Sequence, residues 1–292
     1  MIIIPQRLFG ATAVKIILQD GNKCILSKQL AQPILNREGY ISNHVISILI
    51  SGEQHIRTYD DELLIVKAGE VLFVPRGMYC ISDLLPQGGN FQSLLFYFDD
   101  DLIHNFLSTI QLREMDRTKV PSHLKFGELP VLQTFANTVL EIYAKHQLND
   151  KRFLDLKILE LLHLLNNVSL KKQFSNFLFR LTLPQKRNIK GFMENNYDKP
   201  LKIVDYAYLT GRSISSFRRD FKALFGCTPQ RWLKDKRMEK ALCILNQKEI
   251  TVTDLAFEIG YDNISYFIKE FKNRFGLSPK QYMLSKHRNF LS

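Results

Sequence analysis

The chain has 292 residues, 45% of them apolar, and a formal net charge of +11. That length suits one large domain or two ordinary ones with proper cores, and no apolar run approaches the roughly 18 residues of a membrane-spanning helix. The charge is unevenly placed: residues 1–183 carry 19 Lys/Arg against 18 Asp/Glu, whereas residues 184–292 carry 21 against 11, a net +10. A basic excess confined to one segment points to a polyanionic partner, nucleic acid ahead of an anionic membrane surface. The plain alternative is a basic, soluble surface. Cys24, Cys80, Cys227 and Cys243 form no CxxC pair and no zinc spacing, which predicts reduced thiols in a cytoplasmic protein. The opening MIIIPQRLFG lacks the basic n-region of a signal peptide.

Residues 1–98 read as β. The runs VKIIL, CIL, HVISILI, LLIV, VLFV and LLFYF alternate or are solidly apolar, with turn signals at Asp20-Gly21-Asn22, Ser51-Gly52, Asp60-Asp61, Ala68-Gly69 and 86–90. Short strands at this spacing predict a barrel or sandwich, with Phe73, Phe91 and Phe96 in its interior. From Asp99 the pattern becomes helical. Val131, Leu132, Phe135, Val139, Leu140 and Tyr143 make one amphipathic stripe. After a break at Asn149-Asp150, Phe153, Leu154, Leu156, Ile158, Leu159, Leu161, Leu162 and Leu165 make a second, richer in leucine than one face needs. That helix covers its own barrel and a second subunit, or closes an intramolecular hairpin; the pattern allows both. Residues 168–184 are poorly patterned and read as a linker.

The C-terminal segment contains a repeat. Residues 214–233 and 264–283 share eight of 20 positions at an offset of 50, among them three phenylalanines, a glycine and a proline. Upstream the offset is 49, pairing Asp205 with Asp254, Ala207 with Ala256 and Gly211 with Gly260. Each copy reads as a short helix, a turn at Gly211 or Gly260, and a second helix. Ser213 and Asp262 are the expected caps. Phe217, Phe221 and Phe225, and likewise Phe267, Phe271 and Phe275, recur every four residues as a buried stripe, and Gly226 and Gly276 stop the helices. Two helices joined by a glycine-containing turn form a helix-turn-helix, whose second helix enters the DNA major groove.

The aromatic stripe leaves Ser215, Arg218, Arg219 and Lys222 outward in the first copy. In the second it leaves Ile264, Ser265, Ile268, Lys269 and Lys272 outward. Arginine can reach guanine O6 and N7 with two donors, serine suits several bases, isoleucine can sit on a thymine methyl, and lysines meet phosphate. Ser213, Asn263 and Arg274 complete the expected DNA-facing set. A solvated helix face explains any one of these residues. It does not explain two matched faces in a segment of net +10. Between the copies, PQRWLKDKRMEKALCIL (229–245) reads as one amphipathic connecting helix, which would hold the readers about one DNA turn apart, roughly 34 Å.

The repeat, that connecting helix and the stretch DLAFEIGYDNISYFIKEFKNRFGLSPKQYM (254–283) resemble the DNA-binding domain of the AraC/XylS family of bacterial transcription regulators, over about residues 185–285. The resemblance implies a seven-helix domain reading adjacent major grooves. It places the base-facing roles on Ser215, Arg218 and Arg219, then on Ile264, Ser265 and Lys269. GEVLFVPRGMYC (69–80) is similar to the second motif of cupin barrels, but Cys80 stands where a metal-binding cupin has histidine, and His44 and His55 are not at ligand spacing. No metal, no cofactor and no enzyme chemistry are therefore expected. The expected fold is α+β. A cupin-like sensor and dimerisation domain occupies 1–167 (barrel 1–98, helices 99–167), followed by a linker over 168–184. An all-α DNA-binding domain occupies 185–292, with helix-turn-helix units at 201–226 and 250–276. The expected function is a homodimeric activator that binds double-stranded DNA, works with RNA polymerase and answers a small-molecule or protein effector. A non-specific architectural DNA binder and a cupin enzyme with a DNA-binding tail are the competing readings.

Overall fold

The computed structural model of the chain describes residues 1–58, 61–85, 89–110, 121–145, 150–169, 173–183 and 186–290. The expected turn and break positions Asp60, 86–88, Asn149 and Pro184 lie outside the described residues. The chain divides into two compact units, Met1–Leu183 and Pro184–Ser292.

In the first unit the described strands form two sheets. One has the order β1 (Ile2–Ile4), β4 (Ile34–Ile41), β9 (Gly77–Leu84), β6 (Glu53–Thr58), β7 (Leu63–Lys67). The other runs β11 (Leu124–Phe126), β8 (Val71–Val74), β5 (His44–Ser51), β10 (Phe91–Phe98), β3 (Lys23–Leu30), β2 (Val14–Asp20). Pairing is antiparallel except between β1 and β4. Gly21, at φ +63°, gives the β2–β3 hairpin the positive φ that its two-residue turn requires.

The larger sheet is buried on both faces, and this explains its solidly apolar runs. Along β10, Phe91, Leu95 and Tyr97 point between the sheets and join Leu26, Ile56 and Val74. Leu94, Phe96 and Phe98 point the other way, beneath helices α1 (Asp100–Thr109), α2 (Pro130–Val139), α3 (Arg152–Val168) and α4 (Gln173–Thr182). Phe73 and Phe96, expected inside the barrel, therefore lie in the helix-covered core; Phe73 meets Phe177 of α4 with ring centroids 5.0 Å apart. Only Phe91 of the three faces the other sheet. Phe91 and Phe96 lie an odd number of residues apart on one strand, so period-2 alternation sends them to opposite faces, and a sheet buried on both faces hides each of them.

Residues 168–184 are also corrected. Their core is α4, which buries Phe174, Phe177 and Leu178 against the barrel instead of linking two domains. On α3, Leu154, Ile158, Leu161, Leu162 and Leu165 are buried, while Phe153 and Leu156 stay 39% and 59% exposed. His44 ties the sheet to α1: its Nε2 lies 2.8 Å from Asp100 Oδ1, and its Nδ1 accepts the Arg76 amide at 3.3 Å. Burial pushes the Asp100 carboxyl up, but the hydrogen bond and charge of His44 prevail and hold it below the usual carboxylate range.

The second unit is helical throughout its described residues: α5 (Ile189–Asn196), α6 (Ile203–Leu209), α7 (Ile214–Phe225), α8 (Pro229–Gln247), α9 (Val252–Glu258), α10 (Ile264–Phe275) and α11 (Pro279–Phe290). Helices α6–α7 and α9–α10 are the two copies of the repeat, and α8 is the helix between them.

Candidate nucleic-acid interface

The two copies share the backbone hydrogen bonds that close the turn and the side-chain cap that starts the second helix. After α6, the Gly211 amide donates to Tyr208 O and the Arg212 amide to Ala207 O, at 2.8 and 2.9 Å. After α9, the Gly260 amide donates to Phe257 O and the Tyr261 amide to Ala256 O, at 3.1 and 2.9 Å. This is the paired closure of a helix by a left-handed residue, and Gly211 and Gly260 sit at φ +67° and +85°. The next helix then starts on a side-chain cap. Ser213 Oγ accepts the Ser216 amide, and Asn263 Oδ1 accepts the Tyr266 amide at 2.9 Å. Asn263, not Asp262, is thus the second cap; it stands opposite Ser213 at the offset of 50, whereas Asp262 lies one residue too early. Gly226 and Gly276 close α7 and α10 in the left-handed conformation.

The phenylalanine stripes hold both second helices. Phe217 and Phe221, and Phe267 and Phe271, are fully buried. Phe221 stacks on Phe225 at 4.3 Å and meets Trp232 of α8 at 5.8 Å; Phe271 meets Phe275 at 4.6 Å and Tyr282 of α11 at 6.1 Å. Trp232 and Tyr282 are again 50 residues apart.

Helix α8 joins the copies into one body. Arg237 donates from Nε to Tyr197 O at 2.7 Å and from Nη2 to Lys199 O at 2.6 Å, and Lys240 pairs with Asp198 at 2.5 Å. Gly260 closes the same junction from the second copy: a Cβ there would come within 2.5 Å of Asp198 O. Lys234 of α8 pairs with Glu270 of α10.

On α7 the expected readers Ser215, Arg218, Arg219 and Lys222 are all exposed, beside the capping Ser213. On α10, Ser265, Lys269 and Lys272 are exposed, but Ile264 and Ile268 are half-buried against the second copy's core. They are packing residues first, which leaves α10 fewer groups for bases than expected. Arg274 is corrected outright. Its guanidinium pairs with Asp235 of α8 and stands 3.8 Å from Glu239, so it braces α10 on the connecting helix. Replacing Arg274 with alanine is expected to lower stability by about 1 kcal/mol and to leave base preference unchanged; a melt and a binding-site selection check the two halves. Two residues were missed. Tyr266, 55% exposed on the first turn of α10, faces outward where the first copy has Ser216. Asp220 sits within the basic face of α7 and contacts both Arg212 and Arg219. The aligned repeat contained a signal for each: an aromatic opposite a serine, and an acid in both copies (Asp220, Glu270).

The first unit holds a cavity of about 50 Å³ between its sheets, walled by Ile4, Ile41, Ile56, Leu72 and Leu95. Inside, Lys28 pairs with Asp83, whose other oxygen accepts from Gln54 Nε2 at 2.6 Å. Ser47, 4% exposed, also lines it, and its Oγ has no hydrogen-bond partner. Arg37 lies at the exposed side. His55 lies 2.5 Å from Glu53, and no cluster of three or more His, Cys, Asp or Glu suited to a metal occurs among the described residues.

Residues 44–177 match the family model of the ExsA N-terminal regulatory domain, and residues 206–285 match a helix-turn-helix domain. The chain is 27% identical to the virulence regulon transcriptional activator VirF of Yersinia enterocolitica over 246 residues, 81% of this chain and 86% of that protein. It is 25% identical to the transcriptional regulator ExsA of Pseudomonas aeruginosa over 240 residues, 81% and 84% of the two chains. Among solved structures, apo ToxT from Vibrio cholerae aligns over 94% of this chain and 98% of its own, with a TM-score of 0.45 and 12% identity.

Proposed function

This chain belongs to the AraC/XylS family of bacterial transcription regulators, and on that premise we propose how it reads DNA and what controls it. It is a sequence-specific DNA-binding regulator, of the kind that its relative VirF represents as a transcriptional activator. Helix α7 reads bases with Ser215, Arg218 and Arg219. Helix α10 adds Ser265, Tyr266 and Lys269, and Lys222 and Lys272 meet phosphate. The observation that carries this reading is the pair of equivalently capped second helices, braced on one connecting helix, each with its polar and basic side chains outward. DNA-bound protein then recruits RNA polymerase in the cytoplasm.

The experiment is selection of binding sites from random duplex DNA with the full chain at physiological salt. An enriched motif spanning about two helical turns is the expected result. Enrichment of nothing, with binding that follows salt alone, would leave an architectural DNA binder.

Control lies in the N-terminal unit. The cavity's apolar walls and polar floor of Lys28, Asp83, Gln54 and Ser47 match the chemistry of an effector with an apolar body and a polar end, and at about 50 Å³ it must widen to admit one of more than a few heavy atoms. Effector binding would shift the population of geometries in which two copies of the DNA-binding unit engage DNA together. Phe153 and Leu156, exposed on one face of α3, support a homodimer through that helix. Replacing both with glutamate is expected to weaken self-association at least about tenfold, since each buried apolar side chain contributes roughly 1.5–3 kcal/mol. Sedimentation equilibrium checks it, and an unchanged dimer would place the contact elsewhere.

A further inference from the structure

We propose that Asp220 is a positioning residue for base readout, aiming Arg219 at the DNA through a relay that begins in the helix-turn-helix turn. The proposal rests on the reading of α7 as the recognition helix. The relay starts at Arg212, whose side chain is only 12% exposed. Its Nη1 donates to Thr210 O at 2.6 Å and to Arg187 O at 2.9 Å, which fixes the guanidinium to the backbone of the turn. Its Nε donates to Asp220 Oδ2 at 3.1 Å, so the carboxylate is held in turn. Asp220 Oδ1 then accepts from both Nε and Nη2 of Arg219, each at 3.3 Å. The hydrogen bond from Arg212, with further support from Arg219, keeps Asp220 below the usual carboxylate range, and hence charged at working pH.

Which edge of Arg219 is used matters. A guanidinium has five N–H donors in a planar fork. Asp220 takes the side edge, Nε and one Nη2 hydrogen. The end edge, both Nη1 hydrogens and the second on Nη2, remains for guanine O6 and N7, the bidentate geometry that discriminates guanine from other bases. The Arg219 side chain is 77% exposed, so without Asp220 nothing else in the relay would restrain it. The acid has a second effect. It places a negative charge beside the phosphate-facing residues, which penalises binding that satisfies the backbone alone.

The second copy lacks the relay. Glu270 stands opposite Asp220, but it is buried and pairs with Lys234 of α8. Tyr261 stands opposite Arg212, and Lys269, opposite Arg219, has no planar fork to align. Selectivity therefore concentrates in α7.

The test uses the full chain, the duplex it selects from random DNA, and versions of that duplex with each base pair under α7 replaced. Asp220→Asn, which keeps shape and removes charge, is expected to reduce discrimination at the Arg219 base pair about tenfold and to tighten binding to bulk competitor DNA. In an Arg219→Ala background the same substitution is expected to change discrimination no further. Asp220→Glu, which keeps the charge, is expected to recover part of the discrimination and guards against loss through misfolding. Unchanged discrimination in a folded Asp220→Asn protein would overturn the proposal and leave Asp220 as a brace for Arg212. An equal loss in the Arg219→Ala background would overturn it too. Should the unmodified chain select no duplex, the reading of α7 itself fails, and that outcome is visible before any variant is made.

Discussion

Replacing Gly260 with valine is expected to destabilise the C-terminal unit by roughly 3–5 kcal/mol, combining a left-handed backbone with overpacking. Two independent causes act at this residue. Its φ of +85° lies where L side chains are strained. Its missing Cβ is occupied space: Asp198 O would lie 2.5 Å from the added atom and Lys199 O 2.9 Å. Both neighbours are backbone, pinned by Arg237 and by Lys240, so they have little room to yield. For a unit of this size, each kcal/mol lowers the melting temperature by about 4–8 °C, so a drop of roughly 15 °C or more is expected by circular dichroism. Gly226 is the internal control. It also has a positive φ, +71°, but nothing lies within 4 Å of its would-be Cβ. Gly226→Ala is therefore expected to cost only about 1 kcal/mol. Equal melting shifts for the two variants would show that the α8 junction is not tightly closed. DNA binding should fail with Gly260→Val at temperatures where the protein is still folded, because the same contact sets the separation of α7 and α10.

Arg218→Ala and Arg219→Ala are each expected to lose about 1–3 kcal/mol at one or two base pairs and to leave the others untouched. Lys222→Ala and Lys272→Ala should instead weaken binding to all sequences and reduce the salt slope by about 1 each. The distinction follows from placement. The arginines project from the middle of α7 beside the exposed Ser215, and the lysines lie toward the C-terminal ends of their helices. Competition binding against a panel of single-base variants separates the two classes. A uniform loss for Arg218→Ala and Arg219→Ala would assign both to phosphate and move base selection to Ser215, Ser265 and Tyr266.

The helix-turn-helix pair was legible from sequence because each of its determinants is local. A glycine at the turn, a cap before the helix and phenylalanine every fourth residue specify conformation over ten or twelve residues, and the repetition at offsets of 49 and 50 made one pattern test the other. The cap at Asn263 was legible too, since strict use of the offset from Ser213 selects it over Asp262. Outward placement of Ser215, Arg218, Arg219, Lys222, Ser265, Lys269 and Lys272 followed from the same helical period.

What required the tertiary structure was the identity of each side chain's distant partner. Arg274 has the composition of a DNA contact, yet its charge is taken up by Asp235, 39 residues earlier. Ile264 and Ile268 occupy outward positions of an isolated helix, but both pack against the core that α8, α9 and α10 form in the second copy and are half-buried there. Residues 173–182 carry too short a pattern to identify alone, and they became α4 because the outer face of the larger sheet offered Phe174 and Phe177 a place to bury. The amino-acid sequence by itself determined the elements whose cause is periodicity and turn chemistry: the apolar strands β2, β3, β5, β7, β8 and β10, the two helix-turn-helix units and their basic faces, whereas the more polar or shorter β1, β4, β6, β9 and β11 emerged only from pairing within the two sheets. The tertiary structure alone decided which face of a sheet was covered, which cations remained available to DNA and which were neutralised. Burial and ion pairing depend on residues far apart in the chain, and no local pattern encodes their meeting.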